Sequence, residues 1–229
     1  MIDTYIIRMK GNAISEDLAS ELVASLEAND ITHNFFDAIH GDQIEDCWQR
    51  QGLKFFHKLK PSRKLPGIKG CFLSHYMLWL KSFNENKPLL IFEHDAIVVK
   101  PISEKIIDLP YDVLNLDFAS RVVENYHDYV KQDFGTSIHK WVPQPTTKGL
   151  SSKLNKASIK GLHAYIIKPQ GAKRLTDYIR RTGVLPADIA VNSIACDLRY
   201  TKTCYAMVNP KYWIDAKNGS KHSFTRAKP

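Results

Sequence analysis

Pro88-Leu89-Leu90-Ile91-Phe92-Glu93-His94-Asp95-Ala96-Ile97-Val98-Val99 decides how the rest of the chain is read. Its apolar run reads as a buried strand, and it ends in two carboxylates one residue apart. Side chains at i and i+2 of a strand point to the same side, so Glu93 and Asp95 can face one ligand together. Oxygen ligands on a short, rigid turn suit a hard divalent cation, and such a cation can carry a diphosphate. An isolated Glu-x-Asp is also an ordinary strand end whose acids meet solvent. Its surroundings must decide.

Working outward, residues 4–9 read as a strand, being β-branched and aromatic. Ser15 reads as a helix N-cap with Glu16 and Asp17 in the first turn. Leu18, Leu22 and Leu26 then recur at helical spacing, and a second strand is expected over residues 34–39. This β-α-β opening predicts an α/β domain. Residues 54–69 are basic and punctuated by Pro61 and Pro66, which predicts a surface segment. A helix follows over 71–84, with Phe72, Leu73, Tyr76, Met77 and Leu80 on one face. Beyond the acidic strand, residues 111–118 read as a strand. Residues 133–158 carry Gly, Ser, Thr, Pro and Lys without apolar periodicity, which predicts a mobile loop of the kind that serves as a substrate lid. Disorder without function is the other reading of that loop. Strands are expected at 163–168 and 203–208 and a helix over 170–181 stopped by Gly183, while Pro186-Ala187-Asp188 opens another helix. No repeat or boundary divides the chain, so residues 1–229 are expected to form one domain.

With 229 residues, 44% hydrophobic and 24% charged, the chain can bury a sizeable core. No apolar run approaches the ~20 residues of a membrane span. The N-terminus leads straight into a strand and does not read as a signal peptide. The four cysteines (Cys47, Cys71, Cys196 and Cys204) lack metal-site spacing and disulfide density, which predicts a reduced, cytoplasmic setting. The net charge is +8. It concentrates at Lys54, Lys58, Lys60, Arg63, Lys64 and Lys69, again at Lys140, Lys148, Lys153, Lys156 and Lys160, and again in a basic tail over residues 199–229. Such a surface favours anionic partners: nucleic acid, phosphorylated glycans, a membrane face or a nucleotide diphosphate.

Four blocks in order now make a pattern. Gly70-Cys71-Phe72-Leu73-Ser74-His75 precedes an aromatic-rich helix and then Leu-Ile-Phe-Glu-His-Asp. Gly161-Leu162-His163-Ala164-Tyr165-Ile166-Ile167-Lys168-Pro169-Gln170-Gly171-Ala172 follows, and Pro186-Ala187-Asp188 closes the series. Together they resemble glycosyltransferase family 25, which contains lipooligosaccharide galactosyltransferases and relatives of the collagen galactosyltransferases. The resemblance spans about residues 4–190. Two departures stand out. His94 replaces the middle acid of the family's Glu-Asp-Asp, and Ile7-Arg8-Met9-Lys10 matches the family's first strand loosely.

The resemblance implies a GT-A type fold, a Rossmann-like α/β sandwich using a nucleotide-sugar, typically a UDP-sugar, and a divalent metal, Mn2+ or Mg2+. By that resemblance Asp95 is the metal ligand on the donor diphosphate, and Glu93 orients the ribose or shares the metal. Asp188 is the general base of an inverting transfer, or else a helix N-cap after Pro186. Ser74 and His75 are expected at a helix start that favours phosphate, with His75 bonding the donor sugar or diphosphate, or else being a buried, satisfied core histidine. His163 and Tyr165 share one strand face and are expected to line the sugar pocket, unless Tyr165 packs in the core. Arg8 is a donor contact, and His222 in the tail is a late metal ligand. The acceptor stays open between a lipooligosaccharide-type glycan and hydroxymethylated DNA bases of the sort phages decorate. Cytoplasmic action, free, peripheral to a membrane or in a phage-infected host, fits either. A non-catalytic nucleic-acid-binding module on a degenerate transferase scaffold is the remaining alternative.

Overall fold

Continuous apolar strands form a sheet covered on both faces. The computed structural model describes residues 2–117, 130–141, 157–158 and 161–211, and its strands are β1 (Asp3–Arg8), β2 (Asn34–Asp37), β3 (Leu89–Glu93), β4 (Ala96–Val98), β5 (Val113–Asn115), β6 (Ile138–Lys140), β7 (Ala164–Ile167), β8 (Leu198–Thr201) and β9 (Ala206–Val208). Seven of them make one sheet in the order β2-β1-β3-β7-β5-β8-β6, and β4 pairs with β9 beside it. β1 runs parallel to β2 and β3, and β5 runs parallel to β8. β7 is inserted antiparallel between β3 and β5. Its first residues therefore arrive where β1, β3 and β5 end.

Alternation along the strands sorts side chains into two cores. Ile7, Leu89, Ile91, Val113, Tyr165 and Ile167 join one, with Phe72, Trp79, Leu175 and Ile179 from the helices that cover that face. Ile6, Leu90, Phe92, Leu114 and Ile166 join the other, beneath Leu22 and Leu26. The helices are α1 (Ala13–Glu27), α2 (Gln43–Arg50), α3 (Pro66–Glu85), α4 (Glu104–Asp108), α5 (Pro169–Thr182) and α6 (Ala187–Ala190). α1 covers the second core, while α3 and α5 pack on each other over the first. This is the α/β sandwich that the four sequence blocks led us to expect.

Several details depart from expectation. The cap of α1 is Asn12, whose side chain accepts from Ser15 N–H at 3.0 Å. Ser15 is instead buried inside the helix, and its hydroxyl accepts from Met9 N–H at 2.9 Å. α3 begins at Pro66, because a proline's fixed φ and missing N–H suit the first helical position. Ser74 and His75 consequently lie well inside the helix, where their backbone N–H groups are spent on helical bonds. The segment 133–158 holds β6, which extends the sheet edge along β8, and Ser158, which bridges to Asn192. Residues 142–156 lie outside the described residues, as do Lys148, Lys153, Lys156, Lys160 and His222.

Gly70 sets the depth of α3. A Cβ there would meet Ile39 O at 2.4 Å, a backbone atom that cannot move aside cheaply. The same contact is tied by Ser74, whose hydroxyl donates to Gly70 O at 2.8 Å and accepts from Ile39 N–H at 2.9 Å. Gly70→Ala is expected to lower stability by about 1–3 kcal/mol through overpacking. Denaturant unfolding of the two proteins measures it, and an unchanged midpoint would mean that α3 is not held by this approach.

Candidate functional site

Phe92 pairs with Ala164 across the β3–β7 ladder, and Glu93 N–H donates to His163 O at 3.0 Å. The last residue of β3 is thereby opposite the residue that opens β7. At Glu93 the strand stops and the chain turns through His94 and Asp95 into β4. The turn is pinned on both sides. His94 N–H donates to Ile7 O at 3.0 Å, and Asp95 O accepts from Asn209 N–H at 2.7 Å. Strand alternation thus ends before Asp95, yet the two carboxylates still meet. His163 Nδ1 lies 3.1 Å from Glu93 Oε2 and 3.1 Å from Asp95 Oδ1.

The electrostatics follow from burial and proximity. Burial alone pushes the Glu93 carboxyl up, but hydrogen bonds from His163 and His75 outweigh it and hold the group well below the usual carboxylate range. Burial pulls His163 down, while the charge and hydrogen bond of Asp95, and then those of Glu93, raise it well above its ordinary value. With no cation bound, the two carboxylates favour the protonated form of the ring.

Glu93 Oε1 has its own partner, His75 Nε2 at 3.0 Å. His75 is 1% exposed, and its Nδ1 lies 2.9 Å from the Tyr165 hydroxyl. Tyr165 is wholly buried and accepts from Trp79 Nε1–H at 2.9 Å, so it is a core residue and does not line a pocket. Ser74 is likewise buried, with its hydroxyl committed to backbone. Asp188 stands half-buried in the first turn of α6, inside the helix, while the cap position itself is Pro186. Its charge reaches the Cys71 thiol, which places it on the side of α3 that faces Glu93. Arg8 ends β1 with its guanidinium 3.8 Å from the centre of the Phe35 ring and Nε 3.4 Å from Asp37 Oδ1. It is near the strand ends but engaged within its own edge of the sheet.

Sequence reading missed Cys71 and Trp79. Cys71 Sγ lies 3.9 Å from Glu93 Oε1, and burial, then the charges of Glu93, Asp188 and Asp95, push its thiol well up. It stays protonated. The spacing Cys71-His75-Trp79 was the available signal, since i, i+4 and i+8 fall along one helix face.

Among the described residues, two sets of side chains bring ligand atoms within 4.8 Å of one another: Glu93, Asp95 and His163, and Cys71, His75 and Glu93. The first set fits a divalent cation such as Mn2+ or Mg2+ through its two carboxylates, which are hard oxygen donors, with the His163 ring becoming a further ligand only where a cation takes the place of its Nδ1 proton. The second offers a protonated thiol and an imidazole nitrogen already bonded to the carboxylate.

Residues 1–191 match the family model of glycosyltransferase family 25, described as LPS biosynthesis protein. The chain belongs to glycosyltransferase family 25. Lipooligosaccharide biosynthesis protein lex-1 of Haemophilus influenzae is 27% identical across 60% of this chain and 45% of its own length. Lipooligosaccharide biosynthesis protein lic2B of the same species is 38% identical across 24% of this chain and 28% of its own. The chain thus matches less than half the length of either relative. Among solved structures, mouse Xyloside xylosyltransferase 1 in its apo form aligns over 84% of this chain and 81% of that one, at 12% identity and a TM-score of 0.38.

The raised His163 and lowered Glu93 give a signed prediction. The stability that His163 contributes is full below about 6.5 and is lost as pH rises through its folded value. That of Glu93 is present above about 4.5 and is lost as pH falls through its folded value. With a chelator present, the melting-temperature gap between the wild type and His163→Gln is therefore expected to be widest near pH 5–6 and to narrow as pH rises further. A gap that widens with pH would contradict a charged His163.

Proposed function

We propose that the chain transfers a sugar from a UDP-sugar to a hydroxyl group on a glycan acceptor, with inversion. The observation that supports this most directly is the meeting of Glu93 and Asp95 at the carboxyl ends of the parallel strands, in a chain of this family. Open α/β sheets bind ligands in the crevice outside those ends. Glu93, Asp95 and His163 would hold a divalent cation, which supplies electrostatic stabilisation to a leaving diphosphate.

The protein's own groups have separable tasks in this reading. Asp95, turned inward and tied through its backbone to Asn209, fixes the position of the cation's oxygen ligands. Glu93 holds the donor side in register with β3. Asp188 takes the proton from the attacking acceptor hydroxyl. A half-buried carboxylate near the converging acidic groups is suited to that work, since a general base must lie within hydrogen-bond reach of the hydroxyl it deprotonates. Glycan transfer and lipooligosaccharide work enter here from the names of the two relatives, and the DNA acceptor has no comparable support.

The basic surface bears on the acceptor. Lys69 pairs with Glu45 at 2.7 Å, Arg199 with Asp197 at 2.7 Å, and Lys211 with Glu21 at 2.7 Å. Lys54, Lys58, Lys60 and Lys64 are exposed, and among the described residues no ion pair engages them. They precede α3, whose N-terminal end lies at the strand-end side of the sheet beside Ile39. We take them as the surface for phosphate or carboxylate groups of the acceptor. No helix among the described residues is long and apolar enough to cross a membrane. The four cysteines are unpaired, in keeping with a cytoplasmic setting.

The test is UDP release from a panel of UDP-sugars with Mn2+, comparing phosphorylated glycans with hydroxymethylated DNA. Glycan-stimulated release is expected. Stimulation by DNA alone, falling steeply with salt, would replace the glycan reading. Asp95→Ala is expected to abolish transfer with the fold intact by circular dichroism. Asp188→Asn is expected to keep donor affinity while the rate falls by about 10²–10⁴-fold. An unchanged rate would remove Asp188 from the chemistry.

A further inference from the structure

The buried chain Trp79–Tyr165–His75 has only one consistent direction. An indole N–H donates and cannot accept, so the Tyr165 oxygen must accept from Trp79 at 2.9 Å. The phenol proton then goes to its other neighbour, His75 Nδ1, at 2.9 Å. With Nδ1 accepting, the ring carries its proton on Nε2 and donates to Glu93 Oε1 at 3.0 Å. Every group is satisfied. In the reverse arrangement His75 Nδ1–H would compete with Trp79 for the phenol oxygen. The phenol proton would be stranded in a site with no exposure, and a nitrogen lone pair would face a carboxylate.

We propose that His75, Tyr165 and Trp79 are positioning residues that hold Glu93 in one orientation for the donor, and that none of them touches it. This rests on the reading of Glu93 as a donor-side group. Glu93 has a partner at each oxygen: His75 donates to Oε1 at 3.0 Å, and the His163 ring, whose Nδ1 is hydrogen-bonded to Asp95 Oδ1 at 3.1 Å, lies 3.1 Å from Oε2. A hydrogen bond at one oxygen and an ion-pair contact at the other restrain the plane of the carboxylate as well as its place. The anchors come from α3 and β7, both rigid core elements, so the orientation is set before any ligand arrives. The direction of the chain also separates the two possible cation sets. His75 Nε2 carries a proton and is unavailable as a ligand, so the set with Cys71 does not take a cation and a cation falls to the carboxylates of Glu93 and Asp95.

Three readouts test this. Nitrogen-15 correlation spectra of the wild-type ring are expected to show His75 as the neutral Nε2–H tautomer. Tyr165→Phe is expected to abolish that single tautomer. The Nδ1–H form in the wild type would overturn the proposal. Calorimetric titration with UDP and Mn2+ is expected to show about tenfold or more loss of affinity in Tyr165→Phe and His75→Ala, the scale of a lost hydrogen bond to a charged group. His75→Gln, which keeps an N–H donor, is expected to recover part of it. Equal loss in His75→Gln and His75→Ala, with both folded by thermal melting, would mean that the imidazole merely fills space and would overturn the positioning role. Glu93→Gln separates the two layers of argument. If it binds UDP normally, the donor-side reading of Glu93 fails while the tautomer result still judges the chain. If it binds weakly and Tyr165→Phe binds normally, the positioning role fails alone. Cobalt substitution gives the last check: a thiolate-to-cobalt charge-transfer band would place the cation on Cys71 and overturn the assignment.

Discussion

A carboxylate withdrawn from water needs a donor at each oxygen, and at Glu93 that requirement organises the protein's functional end. β3, apolar along the rest of its length, brings a charged group to the rim of the core. Left alone there, the group would be neutralised or the strand end would open. It is kept ionised because β7 runs the other way. A parallel strand in that place would start at the far end of the sheet and could not deliver His163 opposite Glu93. The antiparallel insertion is thus both a topological feature and the reason that an acidic site exists where it does.

α3 completes the arrangement from the other side. Gly70 allows the helix close against Ile39, Ser74 ties that approach, and the next turns present His75 and Trp79 inward. The aromatic face of this helix serves two ends at once. Phe72 and Tyr76 stack with ring centroids 5.5 Å apart and fill the core. His75 and Trp79 lie on a neighbouring stripe and carry hydrogen bonds instead of only area. Packing and polar geometry are therefore coupled: a shift of α3 that relieved the core would also displace the donor to Glu93.

Much of this was legible in the sequence. The strand 89–93, the helix 13–27 and the helix 169–182 are marked by apolar period and by Gly183, and these signals are local. So is the pairing of Glu93 with Asp95. What was not legible depends on contacts distant in the chain. Ser74 and His75 looked like helix-start residues because the prolines at 61 and 66 read as breakers, while Pro66 in fact begins the helix. The blocks of lysine looked unopposed because their partners lie elsewhere: Glu45 for Lys69, and Asp17 and Glu21 for Lys211. Net charge is a property of composition, but an unpaired charge is a property of the fold. β6 escaped notice because a three-residue edge strand has too little pattern to declare itself.

The division of the site into rigid and exposed parts argues for how its two substrates are treated. Groups assigned to the donor are buried, come from β3, β7 and α3, and are bonded to one another before any ligand binds. A diphosphate presents the same atoms at every turnover, so a preset geometry loses nothing and avoids ordering costs on binding. The lysines that the proposed function gives to the acceptor lie instead on the exposed run before α3 and, among the described residues, make no ion pair, though Lys64 lies over the Phe55 ring. Such side chains tolerate anionic groups at varied positions, but give each little directional selectivity. On this argument the residues that fix chemistry and those that choose an acceptor are distinct in the chain. Under the proposed function, substitution among Lys54, Lys58, Lys60 and Lys64 would change acceptor choice while leaving the contacts of His75 and His163 with Glu93 in place.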